Sequence, residues 1–429
     1  MGQARFAFEI DEPTEGATAC AFSPDGKMLA VALYGEPYIV VYDTTTWQKF
    51  TTPAALPLGS AYDCAFSPDG SLLAVAHSGA AVNVTIYNTA DWSKVDDPAS
   101  APEGICFGGA FSPDGSLLAL AMDTSPYVAI YDTSDWSRLS NPGTLPGGIG
   151  WACAFSPDGG LLAVTHNGSP YVTIYDTSDW SKLSNPANLP AGAGYGCAFS
   201  PDGGMLAVTH VGSPYVTIYD TGTWAKLSDP VDLPNAPGEG CAFSHDGSLL
   251  VVVDSSPPAG IVYNTGSWAK VADVGLESQG NSLGCAFSPD DELLVIASST
   301  PAYLSLFETA NWTDYLTNVL QVIFSRNPQR PARSLALHQA EGETGGGVRY
   351  GYDPAGADKI ITLSWPAMSA GDLAALRAFF SGPARGMAYP FTYTDQAGTE
   401  WTVRFADPEI AASEVALDAY AVTVRLLEA

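Results

Sequence analysis

The chain has 429 residues, with 17 Lys plus Arg against 46 Asp plus Glu, a formal net charge of −29. That balance argues against a nucleic-acid partner, which meets a basic footprint, and against docking on anionic lipid. Hydrophobic residues make up 46%, enough to bury a core and exclude wholesale disorder. The 43 Gly and 32 Pro favour many turns and short strands over long helices. No apolar run reaches the roughly 18 residues of a membrane span, so no membrane insertion is expected. MGQARFAFEI lacks the basic-then-apolar layout of a secretory signal.

The first three quarters of the chain repeat. Ser-Pro-Asp-Gly, or a close variant, has its second residue at Pro24, Pro68, Pro113, Pro157, Pro201, His245 and Pro289, in steps of 44 or 45. A Trp follows in register each time, at Trp47, Trp92, Trp136, Trp180, Trp224, Trp268 and Trp312. Seven copies at this spacing match four-stranded propeller blades. In the fifth copy GCAFS reads as strand A, PDGG as a tight turn, MLAVTH as strand B, YVTIYDT as strand C and TWAKL as strand D. In the turn, Asp bonds local backbone and Gly accepts positive φ. The continuous apolar run of strand B suits burial on both faces. Two segments compete to close the ring: RFAFEI, whose Arg5-Phe6 falls in the register of Lys226-Leu227, and Trp312 to Leu316.

The repeat resembles the WD40 and related seven-bladed propellers over roughly residues 5–316. Tyr42-Asp43, Tyr131-Asp132, Tyr175-Asp176 and Tyr219-Asp220 stand where that family has Trp-Asp. Blades two and six have Tyr87-Asn88 and Tyr263-Asn264, and the seventh has Phe307-Glu308. The Gly-His pair of the family is missing before strand A. The resemblance implies a fold and is nearly silent on function.

The repeat stops after Leu316, and charge changes with it. Residues 1–320 hold 8 basic and 34 acidic residues, net −26; residues 321–429 hold 9 and 12, net −3. The expected fold is therefore mainly β: a seven-bladed propeller over 1–318, then a small α+β or β-sandwich domain over 322–429. In this tail RSLALHQ, KIITLSW, EWTVRFA and YAVTVRLLE alternate like half-buried strands. One short helix is signalled by Ser369 as cap, by Leu373, Leu376, Phe379 and Phe380 on one face, and by Gly382-Pro383 as a stop. LAALRAFFSG, then YPFTYTDQAGTEWTVRF, then YAVTVRLLE resembles small domains of minor tail and tail-tip proteins of long-tailed bacteriophages.

Candidate site residues follow the repeat. No Gly-x-Ser-x-Gly, Lys-bearing phosphate loop, His-Glu-x-x-His or Cys-x-x-Cys is present, so no catalytic residue and no cofactor is assigned. Cys20, Cys64, Cys153, Cys197, Cys241 and Cys285 share one place in strand A; Gly109 holds it in blade three, with Cys106 nearby. They read as reduced residues packed between blades, since one ligand per blade scatters any metal site. His77, His166 and His210 share the end of strand B with Leu33, Met122, Asp254 and Ser298, a tolerance that favours packing over ligation. Lys49, Lys94, Arg138, Lys182, Lys226 and Lys270, two residues after the first six Trp, read as outer-strand charges; Asp314 holds that place in the seventh.

In WD40 topology the A–B and C–D turns share one face. That face collects fifteen acids, among them Asp25, Asp69, Asp114, Asp158, Asp202, Asp246 and Asp290, and should repel phosphate-rich surfaces. The opposite face carries Tyr62, Phe107, Trp151 and Tyr195, two residues before the Cys position in four consecutive blades. Thr18, Glu239 and Leu283 hold that place elsewhere. The B–C turns add Tyr38, Tyr127, Tyr171 and Tyr215. Aromatic residues on a rim stack on sugar rings or anchor a protein partner; the alternative is inter-blade packing.

The function expected from these readings is a non-enzymatic virion component of a tailed phage, at the tail or its tip. Its tail domain anchors to other virion tail proteins, and the propeller touches a host surface glycan or protein, or a neighbouring virion protein. Several copies are expected, as a homo-oligomer. The alternatives are a cellular scaffold, a capsid decoration protein and a sugar-binding lectin.

Overall fold

In a computed structural model of the chain, the described residues are Pro13 and 15–309, less 51–52, 54, 80–81, 99, 257–258, 275–281 and 301–302, together with the backbone of seven strands between 333 and 428. The chain divides into two compact units, one spanning Asp11–Thr313 and a second that includes Asp314–Ala429.

The first unit is a seven-bladed propeller. Blade one is β1 (Ala17–Phe22), β2 (Met28–Leu33) and β3 (Ile39–Asp43); blade two is β4 (Ala61–Phe66), β5 (Leu72–His77) and β6 (Val84–Asn88). Blade three is β7 (Cys106–Phe111), β8 (Leu117–Met122) and β9 (Val128–Asp132); blade four is β10 (Gly150–Phe155), β11 (Leu161–His166) and β12 (Val172–Asp176). Blade five is β13 (Gly194–Phe199), β14 (Met205–His210) and β15 (Val216–Asp220). Blade six is β16 (Gly238–Phe243), β17 (Leu249–Asp254), β18 (Gly260–Asn264) and β19 (Lys270–Asp273), and blade seven is β20 (Ser282–Phe287), β21 (Leu293–Ser298) and β22 (Leu304–Glu308). Every blade is an antiparallel meander in chain order. Blade seven meets blade one directly: a Cβ on Gly284 would lie 2.9 Å from the Ala19 Cα, and Cys20 Sγ sits 3.8 Å from the Val295 carbonyl. Both segments expected to compete for ring closure lie outside the described residues.

The repeated residues earn their places in the turns and between blades. In each Ser-Pro-Asp-Gly-type turn the Ser hydroxyl donates to the Asp carboxylate, as Ser23 does to Asp25 at 2.7 Å, and accepts from the amide five residues on. The same Asp accepts from the amide two residues on; the Ser23 hydroxyl first, then the Lys27 amide, lower Asp25 to about 2. Gly takes φ near +70° in six of these turns and faces the Pro ring of the preceding blade: a Cβ on Gly70 would lie 3.5 Å from Pro24 Cδ. A Thr hydroxyl then ties the C–D turn to the A–B turn, from Thr44 to the Gly26 carbonyl at 2.6 Å and equivalently round the ring. The two turns therefore share one face.

Tyr42, Tyr87, Tyr131, Tyr175, Tyr219 and Tyr263 are fully buried. Five of these hydroxyls donate to a backbone carbonyl 31 or 32 residues earlier, such as Tyr87 to Ala55 at 2.6 Å. The second residue of each Tyr-Asp pair needs only an acceptor: Asp43 takes the Thr45 and Thr46 amides, and Asn88 and Asn264 do the same work. Six Trp residues, Trp47 to Trp268, hold φ between +55° and +59°. A bulky side chain rarely adopts that region; here Trp92, Trp136, Trp180, Trp224 and Trp268 pack against apolar clusters that span two blades. Burying each Leu or Val of strand B in those clusters contributes about 1.5–3 kcal/mol before entropy is counted.

Among the described residues the expected fourth strand forms fully only in blade six. In blades one to five it shrinks to one bridge, such as Tyr219 to Lys226. Trp268 of blade six holds the same left-handed φ as the Trp residues of blades one to five, so the Trp conformation alone does not set where pairing stops. The Lys side chains face nearby acids: Lys94 to Asp97, Lys226 to Asp229 and Lys270 to Asp273.

The second unit carries one seven-stranded sheet. Its strands are β23 (Arg333–Leu335), β24 (Arg349–Asp353), β25 (Ile360–Ser369), β26 (Phe391–Thr394), β27 (Glu400–Phe405), β28 (Ala411–Ala416) and β29 (Ala419–Glu428). The order is β23-β26-β27-β29-β25-β24, with β28 also on β29; β23 runs parallel to β26 and the other pairs are antiparallel. All four alternating segments read from the sequence coincide with strands, while β24 and β28 were not expected. The helix expected after Ser369 lies outside the described residues.

Candidate functional site

Each innermost strand begins with a β-bulge. In blade two Ala61 pairs with His77 and Asp63 with Ala76, so Tyr62 is skipped. The same slip leaves out Thr18, Phe107, Trp151, Glu239 and Leu283, and in blade five both Tyr195 and Gly196. A bulge re-aims the extra residue, and these side chains line a cavity of about 400 Å³. The bulge amides find partners in Thr side chains: Gly196 N donates to Thr209 Oγ1 at 2.8 Å, and Thr165 Oγ1 donates to the Tyr195 carbonyl at 3.1 Å. One residue further on, adjacent blades come so close that only a small side chain fits. A Cβ on Gly108 would lie 2.8 Å from the Trp151 carbonyl, and one on Gly240 2.8 Å from the Leu283 carbonyl.

Four predicted residues, Tyr62, Phe107, Trp151 and Tyr195, come together as one arc. Ring centroids step 4.9 Å from Tyr62 to Phe107, 4.5 Å to Trp151 and 5.4 Å to Tyr195. Tyr34, just after β2, extends the arc at 6.0 Å from Tyr62. All four bulge rings are half-buried, and Tyr34 is exposed. The arc sits at the strand starts, the end of the channel away from the Ser-Pro-Asp-Gly turns.

Tyr38, Tyr127, Tyr171 and Tyr215 are placed differently. They are half-buried, hold φ between +64° and +73°, and follow the cis peptides Glu36-Pro37, Ser125-Pro126, Ser169-Pro170 and Ser213-Pro214. The carbonyls of Tyr127, Tyr171 and Tyr215 lie 2.5–2.6 Å from where a Cβ on the first Gly of the next blade would stand. Tyr38 packs on the cluster between blades one and two. None of the four lines the cavity.

Acidic groups close the arc. Glu239 is the bulge residue of blade six and is half-buried; burial first, then nearby Asp254, push its carboxyl up to about 7. Burial first, then the Glu239 charge, raises Tyr195; burial, then Tyr62, then Glu239 raise Tyr34. Asp63 accepts from Cys64 N at 2.8 Å and from Gly109 N of the next blade at 2.9 Å, yet burial still raises it to about 6. Asp63 replaces the small residue of the other blades and ties blade two to blade three at the position where Gly109 replaces Cys. The cavity wall holds these two carboxylates and no Lys, Arg or His. Trp151 Nε1 is buried with no hydrogen-bond partner.

The seven cysteines are free thiols. Five of the six equivalent ones point Sγ at a carbonyl of the preceding blade, from 3.4 Å for Cys153 to Ala119 up to 4.0 Å for Cys241 to Ala207. Burial raises every thiol, Cys20 to about 12, so none is poised as a nucleophile. His77, His166 and His210 are fully buried, each with Nε2 2.9 Å from a Thr hydroxyl of strand C. Among the described residues no group of three or more His, Cys, Asp or Glu is arranged to hold a metal ion.

Sequence reasoning passed over Tyr34, Asp63 and Glu239. The last two break a repeat whose other copies are aromatic, aliphatic or small, and that break was the signal available.

No family model matches the chain, and no curated protein matches its sequence. Among solved structures it is similar to Kuenenia stuttgartiensis hydrazine synthase, at 16% identity with a TM-score of 0.58, over 70% of this chain and 97% of that one. At that identity the likeness concerns the fold alone.

Proposed function

We propose that the protein is a non-enzymatic recognition component of a tailed-phage virion, at the tail or its tip. The propeller makes contact through the channel end that carries the arc, and the C-terminal domain joins the chain to its neighbours in the particle. One observation supports the recognition role above the others: five aromatic rings run in unbroken contact along one side of a cavity, from Tyr34 to Tyr195. Propeller packing does not require them, because Thr18, Glu239 and Leu283 occupy the same bulge in three other blades. Aromatic side chains gathered at a cavity are typical anchors for a ligand or a partner. The virion setting draws on the sequence pattern of the C-terminal domain, whose described backbone forms strands at FTYT, EWTVRF and AYAVTVRLLE.

Immuno-electron microscopy of particles released by the source culture tests the setting, with one antibody against residues 321–429 and another against the propeller. Label at one end of tailed particles is the expected result. Label on capsids moves the protein to head decoration and overturns the tail assignment. Signal confined to cell lysate overturns the virion reading in favour of a cellular scaffold.

A further inference from the structure

We infer that the channel cavity binds an organic cation, an alkylammonium group seated against the aromatic arc with Glu239 and Asp63 as counter-charges; this deepens the reading of the channel end as a recognition surface and rests on it. The faces of aromatic rings are electron-rich and attract a cation lying within about 6 Å of the ring centre. Here successive centroids stand 4.5–6.0 Å apart, so an ammonium on the arc meets more than one ring. The rest of the wall selects for charge sign: it contributes two carboxylates and no basic side chain. An anion would lose its hydration and find no counter-charge.

Two further observations point the same way. Asp63 and Glu239 are both held above the ordinary carboxylate range by burial, the signature of acids lacking a cationic neighbour. Residues 1–320 carry a net charge of −26, a field that draws cations toward a low-dielectric channel. The same alkylammonium chemistry is available from a free small molecule or from a lysine side chain of a partner protein.

Isothermal titration of the full-length protein at low salt separates these cases. The probes are choline, its uncharged isostere 3,3-dimethylbutan-1-ol, and N-acetyl-lysine methylamide. One cation should saturate a single site per chain, with the isostere at least about tenfold weaker. Choline the tighter of the two cations assigns the site to a small quaternary amine; the lysine amide the tighter assigns it to a protein side chain. Glu239→Gln should weaken the cation severalfold, Trp151→Ala should abolish saturation, and Trp151→Phe should largely keep it. Equal binding of cation and isostere, or no saturable heat with either cation, overturns the proposal, and both comparisons use the unmodified protein. The titration needs no particle. A failed titration with labelled virions sinks the cation and leaves the virion reading; a saturating one with unlabelled virions does the reverse.

Discussion

Blade five puts Tyr195 at its bulge and His210 at the end of its second strand; blade six, beside it and built on the same pattern, puts Glu239 and Asp254 at those two places. His210 Nε2 meets the Thr217 hydroxyl at 2.9 Å, whereas blade six has Ile261 in the place of Thr217, and the Asp254 carboxylate turns instead to the Ser256 amide at 2.8 Å. Blade six also trades the Pro of its turn for His245, which meets Asp291 of blade seven where the other junctions pack Gly on Pro. Ala259 holds φ +53° where blade five has Tyr215 at φ +70°. The same backbone thus accepts aromatic or acidic, and polar or apolar, residues at matching positions. The propeller scaffold does not dictate what lines its channel, so the contiguous arc and the two carboxylates beside it call for a reason beyond folding.

The largest expected effect comes from cutting the arc. Trp151→Ala removes the ring that contacts both Phe107 and Tyr195 and should cost about 2–3 kcal/mol in denaturant unfolding. A loss below about 0.5 kcal/mol would mean that the rings do not pack as a unit.

The two blades should also respond to pH in opposite senses. Burial pulls His77, His166 and His210 down to about 4, below the ordinary value near 6.5. The unfolded chain therefore binds more protons than the folded one between those values, and stability falls as pH drops through that window, on the order of 2 kcal/mol per residue. Copying blade three into blade five, His210→Met with Thr217→Ala, should flatten this acid limb in thermal melts at pH 7 and 4.5. An unchanged limb would exclude His210 from it.

Glu239 works the other way. Its folded carboxyl titrates near 7, above the unfolded value, so it costs stability as pH rises from about 4.5 to 7. Glu239→Gln should therefore stabilise by about 1–2 kcal/mol at pH 8 and have little effect at pH 4.5. Equal effects at the two pH values would contradict the assigned shift.

The smallest effect is expected at the odd junction. His245→Pro with Asp291→Gly restores the Gly-on-Pro contact of the other blades and should change stability by less than about 1 kcal/mol. A larger loss would show that the three hydrogen bonds to Asp291 carry blade six against blade seven.

Much of this was legible in the residues. Ser, Asp and Gly of each turn and the Tyr-Asp pair announce their roles because those roles are local: a carboxylate two residues from an amide, or a Gly where φ must be positive. The four strands read in the tail showed themselves by alternation. The fourth blade strand did not: TWAKL alternates well enough to read as a strand, yet in blade five it makes the single bridge Tyr219 to Lys226. The bulge was invisible as well. Tyr62 and Trp151 read as rim residues ahead of strand A, and their turn into the channel depends on the register with a partner strand and on a small neighbour such as Gly108 that lets the blades close. The four B–C tyrosines looked equivalent to the arc by type and spacing, and the difference lies in which face the backbone offers.

The most direct measurement is the indole proton of Trp151, observed by two-dimensional NMR in nitrogen-15-labelled protein and assigned by its disappearance in Trp151→Phe. Titration with choline should shift that signal saturably, while the uncharged isostere at equal concentration leaves it in place. A Trp151 signal that stays still while indoles of the blade turns move would put the contact surface elsewhere and contradict the role given to the arc.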